Sequence, residues 1–520
     1  MSSSSFLLPK PTAIAQGPIT IDHPQLRDLI ICPQQRGAVT YVRESTVVEQ
    51  NIRITNAPIR TLSPLLFTPS SLTAIALDND TLVAAGGSLT TETDLHLSYH
   101  RSDGEEPVWE YSCSLTGTLN NSLLLTRSNS SGAEPRLGVT NNDRSFRLYD
   151  CAIRRQPIRY ALGARSDEQL ECVGCLRLDT AVNCSALSPC GRFMISVGDL
   201  PNAYLHHVSG SSRVTFHPIS TVPIPEPTNT PPNYPTTRPS DFTAAFAACW
   251  SKDGSKYAVG SQEGVVAVWD IRSTTKPLHV YQVDKMRMGS GSVGQWVSWD
   301  PSDWFHSDAP PWSVRSLKFG GDENGVNEVL VFAEHTHLIH VIDGKTFDPD
   351  TRQIVRIPSK IVEPEPPSPP LLSTSSPPQS PLAMIQLDLP SHTPSVIMSD
   401  SYSYPNPGSA YTFPISERYS TEYESDSDQW EDSDMDDEDC SRDVRTPTPM
   451  STARTIPFPP QSSPPEPYSG TFSNGHPFPA PTRFEYDDEL DIAGICFDPS
   501  GKWLYVGTSE GIVEWEVGRR

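Results

Sequence analysis

The chain has 520 residues, a formal net charge of −24 and 52 prolines, about twice the usual proportion of proline. The negative charge argues against a general nucleic-acid binder, which needs a basic surface to displace counterions, and against docking on anionic membranes. Because the sequence has neither a run of about 18 apolar residues nor a basic and apolar signal peptide, we expect a soluble intracellular protein of the cytoplasm or nucleus.

Short runs of β-branched and aromatic residues, separated by turns, return along the chain. In chain order they lie at 29–42, 72–86, 136–150, 182–197, 246–270, 314–343 and 492–515, and the first is the most degenerate. The clearest unit, 246–270, has three short strands joined by two tight turns that contain glycine. Because such a small sheet cannot bury both of its faces, the units must pack face to face and close a ring. The pattern predicts an all-β fold, a β-propeller with six recognisable blades and a seventh, degenerate blade.

The predicted ring requires the two ends of the chain to meet. We expect an N-terminal strand to complete the blade formed by residues 492–517. The composition divides the chain into a flexible N-terminal tail (1–25), propeller blades (26–362) with a proline-rich loop (209–241), an insert (363–485) and the last blade (486–520).

The repeated units resemble WD40 repeats. Trp269 and Asp270 form the Trp-Asp dipeptide of that family, and Asp143 stands where the family places its turn aspartate. No unit has the family's Gly-His pair, which leaves the family's internal hydrogen-bond tetrads open. More closely, residues 27–31, the unit at 314–347 and the terminal 511–515 resemble a family of fungal WD-repeat-like proteins with a domain of unknown function. This resemblance implies a WD40-like β-propeller and little biochemistry.

Residues 363–482 contain 24 prolines, and 417–443 contain 13 acidic residues against 2 basic ones. Such a segment cannot bury enough apolar surface to offset its ordering entropy, so we expect a disordered insert. Its serines and threonines that precede proline, or have an acidic residue three positions on, are candidate phosphorylation sites. They are Ser368, Ser376, Ser380, Thr393, Ser425, Ser433, Thr446, Thr448 and Ser463.

Two short motifs suggest particular protein partners, although both also arise by chance. Arg454, Pro457 and Pro460 fit the proline-rich ligand of an SH3-type domain. Trp269-Asp270-Ile271-Arg272 resembles the Trp-Asp-x-Arg element of WD40 substrate receptors in cullin-RING ubiquitin ligases. The resemblance implies that Asp270 and Arg272 contact the ligase adaptor.

No catalytic motif stands out in the sequence. A phosphate-binding Gly-rich loop with Gly-Lys, a Gly-x-Ser-x-Gly elbow and a His-Glu-x-x-His pair are all missing. The spacing of Cys172, Cys175, Cys184 and Cys190 permits a zinc site, but the favoured interpretation is core and turn cysteines.

We therefore predict a non-enzymatic scaffold that binds other proteins and has no cofactor, no metal and no direct contact with nucleic acid. A cullin-RING substrate receptor is the first alternative. An enzyme with a site in the propeller channel is the second.

Overall fold

The computed structural model describes residues 5–87 (except 24), 94–127 (except 103, 105 and 116–118), 135–153, 169–228, 244–284, 312–357 (except 323, 324, 326 and 336) and 490–518. Within these ranges, 28 β-strands form seven four-stranded antiparallel sheets. The chain is a seven-bladed β-propeller, which confirms the predicted fold class.

The first strand, β1 (Ala13–Gln16), belongs to the last blade, whereas β2–β25 build the first six blades in chain order. Blade 1 contains β2 (Ile30–Ile31), β3 (Ala38–Arg43), β4 (Thr46–Asn51) and β5 (Arg60–Pro64). Blade 2 contains β6 (Ser71–Leu77), β7 (Asp80–Gly86), β8 (Asp94–His100) and β9 (Pro107–Ser114). Blade 3 contains β10 (Asn120–Thr126), β11 (Arg136–Asn141), β12 (Ser145–Cys151) and β13 (Leu170–Arg177).

The remaining blades follow the same order from the innermost to the outermost strand. Blade 4 contains β14 (Val182–Leu187), β15 (Phe193–Gly198), β16 (Asn202–Ser209) and β17 (Thr215–Pro223). Blade 5 contains β18 (Ala245–Trp250), β19 (Lys256–Ser261), β20 (Val265–Asp270) and β21 (His279–Gln282). Blade 6 contains β22 (Val314–Gly320), β23 (Val329–Glu334), β24 (Leu338–Asp343) and β25 (Gln353–Arg356). Blade 7 contains β26 (Ile492–Phe497), β27 (Trp503–Thr508), β28 (Gly511–Glu516) and, outermost, β1.

The two ends of the chain close the ring. Strand β1 pairs antiparallel with β28, with Ala13 opposite Glu514 and Gln16 opposite Gly511. The innermost strands contact one another in cyclic order, and β2 contacts both β6 and β26. Closure removes the exposed faces that an open array of blades would leave at its two ends.

The N-terminal segment differs from the flexible tail expected over residues 1–25. In its described part, β1 is a paired strand, and the side chains of Phe6, Leu7 and Ile19 are buried. Phe6 and Leu7 pack among apolar residues of blades 6 and 7, and Ile19 packs in a cluster that includes residues of blades 7 and 1. Their burial offsets the entropy of ordering the chain. The tail assignment is therefore corrected for these residues.

The proline-rich loop expected at 209–241 also differs from the structure, because its first half contains β17. This strand pairs with β16 from Thr215 to Pro223, with a bulge at Ile219, although it includes Pro218 and Pro223. It is the outermost strand of blade 4, where a missing backbone N–H is tolerated. The second half of the expected loop, 229–241, lies outside the described residues, as does the whole insert assigned to 363–485.

The apolar core lies between neighbouring blades. Trp269 is fully buried, and its ring stacks on Tyr257 with the ring centroids 5.5 Å apart. The indole N–H groups of Trp269 and Trp515 have no acceptor among the described residues. Both tryptophans therefore act as apolar packing groups and take no part in a hydrogen-bond tetrad there. No helix in the described part of the chain is both long and apolar enough to cross a membrane.

Candidate functional site

Five of the seven innermost strands carry a β-bulge at the same place, immediately after their first residue. The pairing with the second strand of the blade skips one residue in each of them. A bulge inserts an unpaired residue and redirects its side chain. The inserted residues are Asn121, Asn183, Phe246, Arg315 and Ala493.

Two of the inserted residues are asparagines that join one blade to the next. The Nδ2 amide of Asn121 donates a hydrogen bond to the carbonyl of Val182 at 2.9 Å. In the next blade, the Nδ2 amide of Asn183 donates to the carbonyl of Ala245 at 3.2 Å. Each bond satisfies a buried carbonyl beside a bulge, so this position is a structural link in blades 3 and 4.

In blade 6 the bulge residue is Arg315, so a charged guanidinium stands where blades 3 and 4 have the neutral amide of an asparagine. Arg315 is only 3% exposed, and its guanidinium carbon lies 4.4 Å from the ring centroid of Phe246 in blade 5. None of its three side-chain nitrogens has a hydrogen-bond partner among the described residues. Burial, and then the charge of Arg27, lowers the pKa of Arg315 to about 9. The residue remains charged at neutral pH.

Arg27, which precedes β2, is a second buried cation near this position. Its Nη1 lies 3.4 Å from a carboxylate oxygen of Asp491, and its Nη2 lies 3.5 Å from Nε2 of His335. Burial, Arg27 and Arg315 lower the pKa of His335 well below its usual value. Burial, Arg315 and Arg27 also lower the pKa of His23 to about 4. Both histidines are therefore neutral at pH 7, and the positive charge belongs to the arginines.

A narrow cavity of about 40 Å³ lies among the innermost strands. Its lining includes Arg27, Asp28, Asn121, Arg315 and Lys318. Lys318 and Asp28 form an ion pair at 3.0 Å, and their side chains are 37% and 41% exposed. The charged lining therefore extends from the buried arginines to groups that reach solvent.

The size of this cavity limits what it can enclose. Pockets for metabolites and cofactors typically measure about 300–1,000 Å³, whereas a water molecule needs roughly 10–15 Å³. The cavity of about 40 Å³ holds a group of a few heavy atoms. The alternative of an enzyme with a channel site requires polar side chains that converge on a cavity, and such side chains line this one. The cavity is nevertheless too small to enclose a whole metabolite.

The predicted adaptor contact lies elsewhere, at the end of β20. Arg272 has a side chain that is 81% exposed, and its Nε donates to Oδ1 of Asp270 at 2.8 Å. The backbone N–H of Arg272 donates to the same oxygen at 2.8 Å. The hydrogen bond from the Arg272 side chain is the largest of the contacts that lower the pKa of Asp270 to about 2. The two residues thus form one preorganised surface pair.

The other predicted site residues lie outside the described part of the chain. These are the nine candidate phosphorylation sites and the SH3-ligand residues, namely Ser368, Ser376, Ser380, Thr393, Ser425, Ser433, Thr446, Thr448, Ser463, Arg454, Pro457 and Pro460.

The cysteines weighed as a zinc site fall on two different blades. Cys172 and Cys175 lie on β13, whereas Cys184 lies on β14. Among the described residues, no group of three or more His, Cys, Asp or Glu side chains is placed to hold a metal ion.

Arg27, Arg315 and the two asparagines were not identified as site residues from the sequence. The available signal is the presence of charged residues inside a predicted strand, as in Val314-Arg-Ser-Leu-Lys-Phe319. A charge at such a position needs a partner or a function. The bulge that turns Arg315 toward the cavity has no signature in the sequence.

Comparisons with known proteins name no activity. The model of an uncharacterised protein domain, DUF2415, matches residues 313–356, which include all of blade 6. The chain is similar to the crystal structure of the WD40 β-propeller domain of Doa1, with 12% identity and a TM-score of 0.42, over 68% of this chain and 88% of that one. No curated protein matches the chain.

Proposed function

We propose that the protein is a non-enzymatic interaction scaffold whose propeller binds partner proteins. Propellers of the WD40 type are typical of such scaffolds. The closed ring supports this role because it presents many strand edges and loops on one rigid body. The small size of the channel cavity also favours binding at the outer surface over the enclosure of a substrate.

The observation that carries the proposal is the outer edge of blades 4, 5 and 6. Their outermost strands β17, β21 and β25 have no further paired strand among the described residues. These strands expose the apolar side chains Ile219 (47%), Val280 (40%) and Ile354 (40%). An unpaired edge with exposed apolar side chains suits an extended peptide, which adds to the sheet as a further strand.

The test is a comparison of partner recovery by three forms of the full chain. Val280→Asp places a charge on the proposed edge, and Leu66→Asp places the same charge on a fully exposed residue between β5 and β6. We expect stoichiometric partners to be recovered by the unmodified chain and by Leu66→Asp, and to be lost with Val280→Asp. Recovery of no stoichiometric partner, or equal recovery by both variants, refutes this function for the edge.

We further propose that the segment 363–485 tunes these contacts as a phosphorylated tether. A long acidic chain linked to a rigid body raises the effective concentration of partners that bind both. Phosphates at its Ser-Pro and Thr-Pro sites add negative charge and docking oxygens, and the motif at 454–460 offers an SH3 ligand. Phosphatase treatment should then change partner recovery by the full chain and not by a chain that lacks 363–482. We also propose that the protein is related to the fungal WD-repeat-like family that its sequence resembles, and that it works in the cytoplasm or the nucleus. Proximity labelling in cells would show which of the two compartments contains it.

A cullin-RING substrate receptor is the second candidate function, favoured by the exposed pair of Asp270 and Arg272. Nε and Nη2 of Arg272 donate to the two carboxylate oxygens of Asp270, and this bidentate pair holds an exposed guanidinium in one orientation. Arg272→Ala should abolish binding of a ligase adaptor, whereas Arg43→Ala, an exposed arginine in blade 1, should leave it intact. Unchanged adaptor binding by Arg272→Ala overturns this candidate.

A further inference from the structure

Arg315 is a buried cation without a counter-ion among the described residues. Among the residues that the structure describes, none of its three side-chain nitrogens has a hydrogen-bond partner, and the charge that lowers its pKa, after burial, is that of another cation, Arg27. An uncompensated buried charge is strongly destabilising, and unpaired buried donors add to the cost. The stacking on Phe246 covers one face of the guanidinium and leaves its donors unused.

The nearby carboxylates are already paired with other cations. Asp28 accepts from Lys318 at 3.0 Å, and Asp491 lies 3.4 Å from Arg27. These ion pairs leave Arg315 without a carboxylate partner among the described residues, and the low pKa of His23 and of His335 keeps both imidazoles neutral at pH 7.

The cavity beside Arg315 has the lining of a small anion site. Hydroxyl and amide side chains of the neighbouring blades, Ser70, Ser71, Asn121 and Ser122, share the lining with the two arginines. A volume of about 40 Å³ exceeds the need of one water molecule. The planar fork of a guanidinium matches the oxygens of a phosphate or carboxylate in a bidentate arrangement.

We propose that Arg315, together with Arg27 and the polar side chains that line the cavity, binds an oxyanion of the size of phosphate in the propeller channel. The anion supplies the missing counter-ion and accepts the unused hydrogen bonds. It is either free phosphate or the terminal phosphate of a ligand that enters past Lys318 and Asp28, whose side chains reach solvent. This site is separate from the strand edge proposed for partner proteins.

The experiment measures unfolding of the full chain in chloride and in inorganic phosphate at equal ionic strength. Phosphate at a hundredfold excess over its dissociation constant should shift the folding equilibrium by roughly 100-fold. Arg315→Met should abolish this shift, whereas Arg272→Met removes the same charge from an exposed position and should retain it. O-phosphoserine identifies the source: a shift with both ligands indicates a terminal phosphate group, and a shift with inorganic phosphate alone indicates the free ion.

The absence of any phosphate-dependent shift in the unmodified chain overturns the proposal, and so does an equal shift in Arg315→Met. Because Arg315→Met removes an uncompensated buried charge, we expect its unfolding midpoint in chloride to be no lower than that of the unmodified chain. If this variant does not fold, Arg315→Lys decides, since lysine keeps the charge and loses the fork. Undiminished phosphate affinity in Arg315→Lys overturns the role of the guanidinium.

Discussion

Replacing Leu7 by alanine tests how the N-terminal segment holds the ring closed. Leu7 is fully buried among apolar residues of blades 6 and 7. Its backbone is fixed by Gln353 of β25, whose side-chain oxygen accepts from the N–H of Phe6 at 2.8 Å and of Leu7 at 2.9 Å. The segment therefore cannot move inward to fill the space that a shorter side chain leaves.

The magnitude follows from the buried groups that are lost. Leu7→Ala removes three buried carbon groups at about 0.8 kcal/mol each, and the remaining cavity adds a further cost, within the range of about 2–5 kcal/mol for such changes. We expect the free energy of unfolding to fall by about 3 kcal/mol. The neighbouring Leu8 is 46% exposed, so Leu8→Ala should change it by less than about 0.5 kcal/mol.

Equilibrium unfolding in urea, followed by far-ultraviolet circular dichroism, measures both variants against the unmodified chain. The slope of free energy against denaturant should stay the same, so that the difference appears in the midpoint. Equal midpoints for Leu7→Ala and Leu8→Ala would show that the segment does not pack on blade 7. That result would refute closure of the ring by the N-terminus.

Two further predictions concern packing and pH. Gly320→Ala should lower the free energy of unfolding by about 1–3 kcal/mol, because the added Cβ would lie 2.2 Å from the ring of Phe497. Gly104→Ala is the control, since its added Cβ meets only ordinary contacts at 3.5 Å. Equal thermal unfolding midpoints for the two variants would contradict the close approach of Gly320 to Phe497. The pKa values of His23 and His100 are lowered to about 4, mainly by burial, so the unfolded chain binds their protons at a higher pH than the folded chain. Stability should therefore fall between about pH 6.5 and pH 4, by roughly 3 kcal/mol for each histidine, and His100→Gln should show a smaller fall in a pH series of urea titrations.

The inner strands of the blades could be predicted from the sequence, but the outer strands could not. The inner three strands of a blade are buried, so their β-branched residues and glycine turns form a local pattern, as at 246–270. Outer strands such as β17 and β25 are only partly buried, and β17 contains two prolines. A partly exposed strand that contains prolines shows a weak strand pattern, and for this reason β17 was assigned to the expected proline-rich loop.

The sequence by itself determined the repeated β-units, because strand pattern and turn chemistry depend on residues only a few positions apart. Closure by an N-terminal strand was an expectation from the number of these units, since a ring of blades must bury the faces at both of its ends. The tertiary structure alone decided that Arg315 stacks on Phe246 and that Arg27 meets Asp491. These contacts join residues far apart in the chain, and they depend on bulges and on closure of the ring. The physical reason is that the neighbouring blades decide whether a charged side chain in a strand is buried or exposed, and which groups it contacts.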